Sequence, residues 1–354
     1  MDECSILVCY MTSSTIPVLN LHGDAYTRGY QHGVALRLAI RAAAERSRRT
    51  HVPGGVQGAR RLAGQSWKLI ETVAPDITAE MKGIAEGSGL APLDVYLLSG
   101  FEFFNDASPA GCTTAAIATG SGAVVAQNWD APPGTEEQLV LLVHDTGDDG
   151  FAMITTPGTL GWVGMNRSGF AFVTNDLMLD TAEHGLPSLV VRRLLLREKT
   201  VRAGLETLAR HDHRAGRCYL LGDGRGEVAG VEISPSIGSV LLPGHPLVHT
   251  NHPVIPALAT REDIETVARV YPSSRERLSY AHRRSVRDAK DVFQLLASAE
   301  GAPDAICKSA SQREPTQTAF SVVFDCRNTT ASICIGRPDR GTYRAFDFSC
   351  MATA

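Results

Sequence analysis

The sequence predicts an α+β protein in which two antiparallel sheets stack between layers of helix, a four-layer αββα sandwich. Three observations carry this. The first third of the chain is patterned for helices. The part after Cys112 breaks into β-prone runs split by glycine-rich turns. Further helices and then closing strands follow. That order implies antiparallel sheets flanked by helices, and stacking two sheets covers every apolar face. A chain of 354 residues is long enough for one large core of this kind.

The elements follow in order. Val18, Leu19 and Leu21 mark a short strand before a Gly23-Asp24 turn. Residues 34–50 read as a helix, with Val34, Leu36, Leu38 and Ala39 apolar and Arg37, Arg41, Glu45 and Arg46 polar. Helices are also expected at 57–73, at 76–87 with Asp76 at its start, and from Pro92 to about 104. Hairpins are expected at 112–118 with 123–127, at 138–144 with 151–155, at 162–166 with 170–174, and at 218–221 with 227–233. Their turns are marked by Thr119–Gly122, Thr146–Gly150, Arg167–Gly169 and Gly222–Gly226. Helices are expected at 187–197, 201–209, 273–284 and 289–299, an extended run at 241–250, and strands at 318–325, 331–335 and 342–348.

Composition removes several classes of function. A formal net charge of −4 gives no reason to expect nucleic acid or an anionic membrane as partner. Only five of the 34 basic residues are Lys, a bias that reflects a GC-rich genome more than any chemistry. No apolar run approaches the ~18 residues of a membrane-spanning helix. Asp2 and Glu3 stand where a signal peptide would be basic, so a cytoplasmic protein is expected. The eight cysteines include no Cys-x-x-Cys pair and read as buried thiols. The pairs His249/His252 and His211/His213 have weak metal-ligand spacing, and no metal or cofactor is expected. Gly222–Gly226 lies between two strands and does not open a helix, so it is a poor dinucleotide fingerprint.

The informative segment is Gly111-Cys112-Thr113-Thr114, followed by Gln127-Asn128-Trp129-Asp130. A lone Cys is more often a small buried apolar residue. A glycine ahead of it changes the reading, because the thiol can attack the Gly111 carbonyl. Scission would give Cys112 both a thiol and an α-amine, with the amine accepting the thiol proton. Gly111 is expected to make a strained peptide easier to hold.

Further patterns carry a resemblance. Gly23, Tyr26, Gly29, Tyr30, His32 and Gly33 form one. Gly161, Gly164, Asn166 and Gly169 form another. Gly185 with Pro187, His249-Thr250-Asn251-His252, Ile306-Cys307 and Gly336-Arg337-Pro338 complete the set. With the Gly111-Cys112 segment, these resemble the acyl-coenzyme A:6-aminopenicillanic acid acyltransferases, a family that also includes hydrolases of β-alanyl amides. The resemblance implies the N-terminal-nucleophile hydrolase fold, made as a precursor that cuts itself between Gly111 and Cys112. Residues 1–111 would become a mainly helical chain and 112–354 a chain carrying the sheets, together one intertwined domain. Further self-association is left open.

The resemblance also assigns roles. Cys112 is the nucleophile and Thr114 orients its amine or thiol. Asp130 stands beside the new amine, where it must be offset or well hydrogen-bonded because an anion raises an amine's pKa. Asn251 donates to the oxyanion. Trp129, Asn175 and Arg313 are the candidate substrate-binding residues. Arg313 is one because the segment 309–316 lacks the family's Ser-Arg pair.

The implied activity is cleavage or transfer of an acyl or aminoacyl group at an amide through a Cys112 thioester, in bacterial secondary metabolism. A coenzyme A thioester is an optional co-substrate. Two competing readings are an uncleaved sandwich that only binds a small molecule or protein, and a papain-like protease. The latter lacks the helix expected after its nucleophile.

Overall fold

The computed structural model describes residues 16–49, 55–103 and 110–349. Cys4, Cys9, Cys350 and the end of the helix expected to reach 104 lie outside the described residues. The four layers are present. Among the described residues one sheet has eight strands and the other six.

The first segment builds most of one helical layer. Strand β1 (Val18–His22) leads to α1 (Ala25–Ala35), α2 (Arg37–Arg49), α3 (Gly55–Val73), α4 (Pro75–Ser88) and α5 (Pro92–Ser99). Asp24, expected in a turn, caps α1 by accepting from the Thr27 N–H at 2.7 Å. Helix α1 itself is a correction to the sequence reading, which placed helix only from residue 34. Gly29 and Gly33 weaken a helical pattern. Tertiary packing explains them, because α1 crosses α4 almost backbone to backbone. A Cβ on Gly29 would lie 2.0 Å from the Glu80 carbonyl oxygen, and one on Gly83 would lie 2.1 Å from the Tyr26 carbonyl oxygen. Gly29→Ala is therefore expected to destabilise the protein by about 1–3 kcal/mol or more. Urea unfolding would show it, and an unchanged midpoint would contradict the close crossing.

After the Gly111-Cys112 segment the hairpins form as expected. The larger sheet takes β1, β4 (Val140–Asp145), β5 (Phe151–Thr155), β6 (Val163–Asn166), β7 (Ala171–Thr181), β8 (Ala215–Gly222), β9 (Val228–Ser234) and β10 (Gly238–Leu241), in that order across the sheet. The smaller takes β11 (Leu247–His249), β2 (Gly111–Thr119), β3 (Gly122–Ala131), β12 (Gln317–Asp325), β13 (Thr330–Ile335) and β14 (Arg344–Asp347). Strand β1 pairs parallel with β4. The run expected at 241–250 proves to be the end of one strand and all of another, β10 and β11, in different sheets. In the β6–β7 turn Gly169 has φ 81°, and a Cβ there would lie 2.0 Å from the Cys326 carbonyl oxygen. Only glycine fits.

Strand alternation sorts the core. Leu141, Val143, Val173 and Leu220 of the larger sheet meet Ala116, Val125, Phe320 and Val322 of the smaller between the sheets. The larger sheet's outer face, including Phe172, Tyr219 and Leu221, packs on α3, α4, α5, α6 (Ser188–Leu195) and α7 (Val201–Arg210). The smaller sheet's outer face, Ala115, Ile117 and Val323, packs on α10 (Ser274–His282) and α11 (Ala289–Leu296). Short helices α8 (Pro256–Ala259) and α9 (Ile264–Val270) carry the chain between β11 and α10 and were not anticipated.

Candidate active site

Strand β2 places Cys112 next to Thr114 on the side facing the larger sheet. Strands β6 and β7 pair only through Gly164–Phe172 and Met165–Ala171. Past those pairs, Trp162 and Thr174 both line a cavity of about 610 Å³ that also reaches Cys112, a volume suited to a small-molecule ligand. Trp129, a predicted substrate-binding residue, forms part of its wall, stacked on Trp162 with centroids 5.3 Å apart.

The backbone of Cys112 is held at both ends. Strand β11 stops at His249, and the Asn251 side chain continues the contact with β2, its Oδ1 accepting the Cys112 N–H at 2.8 Å. Asn251 Nδ2 donates to the Asp176 carbonyl at 3.2 Å. The sequence reading makes Asn251 an oxyanion donor; in the continuous chain its oxygen holds the nitrogen that scission would free. The Cys112 carbonyl accepts from Arg277 Nη1 at 2.6 Å and Asn175 Nδ2 at 3.2 Å. Thr114 Oγ1 donates to Asn175 Oδ1 at 2.6 Å, so Thr114 acts on that carbonyl through Asn175.

Two predicted binding residues move. Asn175 is fully buried and, with both amide atoms on the Cys112 segment, does not line the cavity. Arg313 also lies off the cavity. Its guanidinium donates to the Asp304 carboxylate at 2.9 and 3.0 Å and to the Pro272 carbonyl at 3.0 Å.

Asp130 pairs with Gly111 across β2 and β3, on the helix-facing side of the sheet, with Oδ1 accepting from Thr318 Oγ1 at 2.8 Å. Burial raises its carboxyl pKa above the ordinary value, opposed by Lys308, Arg277 and the Thr318 hydrogen bond. A Cβ on Gly111 would lie 3.2 Å from Asp130 Oδ2. The glycine thus makes room for the carboxylate. Gly111 is not among the left-handed glycines, so the strain expected there has no backbone outlier behind it.

Sequence reasoning missed Arg277, Asp176, Arg192 and Trp162. Arg277 is fully buried on α10 and also bonds Thr113 Oγ1 at 2.9 Å and Asn251 Oδ1 at 2.9 Å. Nothing in an Arg-rich helix singles it out. Burial pushes the Cys112 thiol well above its ordinary range, with Asp176 and then Asp130 adding to the shift and Arg277 and Arg192 opposing it. The thiol therefore needs a base to react. His249 faces Glu232 Oε1 at 2.7 Å and the Thr250 carbonyl at 2.7 Å, and Glu232 also accepts the N–H groups of Val254 and Ile255 at 2.6 and 3.0 Å. This buried staple fixes the loop that carries Asn251. Among the described residues no group of three or more His, Cys, Asp or Glu is placed to hold a metal ion. None of the described helices is long and apolar enough to cross a membrane.

A cysteine lining a ligand-sized cavity in a four-layer sandwich defines a candidate acyl-transfer site, and sequence comparison places it in a family. Residues 117–340 match the family described as acyl-coenzyme A:6-aminopenicillanic acid acyl-transferase, and the chain belongs to that family. The family is one of enzymes, described as acyl-transferases. Over 276 residues, 75% of this chain and 76% of the relative, it is 28% identical to the acyl-coenzyme A:6-aminopenicillanic-acid-acyltransferase 40 kDa form of Emericella nidulans. Among solved structures it is similar to a mutant conjugated bile acid hydrolase from Clostridium perfringens, at 11% identity and TM-score 0.43 over 68% of this chain and 93% of that one. It is also similar to penicillin V acylase from Agrobacterium tumefaciens, at 15% identity and TM-score 0.35 over 63% and 82%.

Proposed function

We propose that the chain is a self-processing cysteine enzyme that cleaves or transfers an acyl or aminoacyl group at an amide. The observation that carries this is the pairing of a cavity-lining thiol with a backbone nitrogen already held by Asn251 Oδ1 at 2.8 Å. In processing, Cys112 Sγ attacks the Gly111 carbonyl carbon. The C–N bond breaks, the nitrogen takes a proton, and water opens the thioester to leave a Gly111 carboxylate and a Cys112 amine. With an ordinary pKa of about 8, that amine then accepts the thiol proton as Sγ attacks a substrate amide. The leaving amine takes a proton, and water or an acceptor amine resolves the acyl-enzyme.

Chains 1–111 and 112–354 would stay together as a heterodimer. A coenzyme A thioester is a second acyl source consistent with the family. A cytoplasmic setting in bacterial secondary metabolism is part of the same reading.

Mass spectrometry after incubation with a panel of acyl amides and acyl thioesters tests it. The expected result is an acyl adduct on a peptide that begins at Cys112. Active protein consisting only of unbroken chains would overturn the mechanism, as would an adduct on another residue.

A further inference from the structure

Asp130 is the carboxylate that the sequence singles out near the thiol. A second, Asp176, lines the cavity itself with its side chain 20% exposed. It ends a buried chain of charges. Arg217 on β8 brings Nε to 3.2 Å from Asp176 Oδ1 and donates from Nη2 to Glu102 Oε1 at 2.7 Å. The side chains of Arg217 and Glu102 are 4% and 3% exposed. Glu102 is fixed in turn by the Ser188 N–H at 2.9 Å. The other contacts to the Asp176 carboxylate are longer, with the Tyr271 hydroxyl at 3.5 Å and Arg192 Nη2 at 4.0 Å. The Asp176 carbonyl takes Asn251 Nδ2, whose Oδ1 holds the Cys112 nitrogen. A line of polar contacts thus runs from Glu102, ahead of the Gly111–Cys112 bond in sequence, to the nucleophile.

We infer that Arg217 is a positioning residue for the Cys112 reaction: it locks the cavity carboxylate of Asp176 against Glu102 and neutralises it beside the thiol. The inference rests on the cysteine chemistry proposed above and adds a residue that touches neither the thiol nor the cavity. A carboxylate left unpaired near a thiol disfavours the thiolate. Among the described residues Arg217 is the closest cation paired with Asp176, and its removal leaves Arg192, at 4.0 Å, as the remaining cationic contact beside the Tyr271 hydroxyl at 3.5 Å. The other charged or titratable groups whose charge acts on the thiol are Asp130 from β3, Arg277 from α10, Arg192 from α6 and Tyr271 after α9, joined after scission by the Cys112 amine itself. All of them are retained in the variants below.

The test is alkylation of Cys112 by iodoacetamide across pH, read by peptide mass mapping on the whole protein. Arg217→Met should move the midpoint up by about one pH unit and slow alkylation near neutrality about threefold, since a more basic thiolate recovers part of a tenfold loss in population. Asp176→Asn should move the midpoint the opposite way by a similar amount. The double variant Arg217→Met with Asp176→Asn should return near the parent protein. A purely structural role would not produce shifts of opposite sign with mutual rescue. If Arg217→Met does not fold, the near-isosteric Asp176→Asn and the charge-neutral pair still decide. Unmoved midpoints in both, or Asp176→Asn shifting upward, would overturn the inference. The mapped peptide reports separately whether it begins at Cys112 or continues through Gly111, so failure of self-processing is scored on a different readout.

Discussion

Cys112→Ala is expected to yield one uncut chain with no acyl adduct and no turnover above background. Losing a nucleophile costs on the order of 10⁶-fold where it has been measured in a serine enzyme. The effect should be chemical and not a matter of folding. Cys112 lies at the cavity-facing start of β2, and its anchors are backbone groups that alanine retains: the N–H on Asn251 and the carbonyl on Arg277 and Asn175. Thermal unfolding of the variant should therefore stay close to that of the uncut parent. Intact-mass measurement together with an amide-cleavage assay checks the prediction, and normal scission in the alanine variant would move the nucleophile to another residue.

Asn251→Ala is expected to lower turnover by about 10²–10³-fold, the usual cost of one oxyanion donor, and to slow scission as well. The second effect follows from geometry. The carboxamide oxygen accepts from the Cys112 nitrogen and from Arg277 Nη2 at 2.9 Å, so its loss frees the very atom that processing turns into an amine. Asn251→Asp separates the two roles. It keeps an oxygen for Cys112 N and Arg277 and loses the Nδ2 donor. It should cut itself more readily than Asn251→Ala while remaining impaired in turnover. Time courses of chain cleavage and single-turnover kinetics of the cut protein check both parts, and near-normal kinetics in Asn251→Ala would remove the residue from the chemistry.

The hairpins and the layer order were legible because they are local. Turn glycines such as Gly169 and alternating apolar residues fix a strand pair over a few residues. Helix α1 was not legible, because Gly29 and Gly33 look unfavourable until α4 supplies Gly83 and Gly87 on the facing helix. The parallel pairing of β1 with β4 joins segments far apart in sequence, and no local signal announces it. The site divides in the same way. Cys112, Thr114, Asp130 and Asn251 stand in short motifs and meet around β2. Arg277 and Asp176 carry no motif and gain meaning only when α10 and β7 arrive beside Cys112. The sequence offers Arg313 as a substitute for a missing family residue, yet Asp304 and the Pro272 carbonyl already hold its guanidinium.

The pairing of β1 with β4 has a mechanical consequence. Residues before Gly111 supply the border strand of the larger sheet, and Leu19 and Leu21 pack with Val140 and Leu142 from beyond Cys112. A nick ahead of Cys112 would thus leave the two pieces sutured through backbone hydrogen bonds and a shared apolar seam. Pulling them apart would mean unzipping a sheet margin, so the break would create a new chain end inside the molecule without creating two bodies.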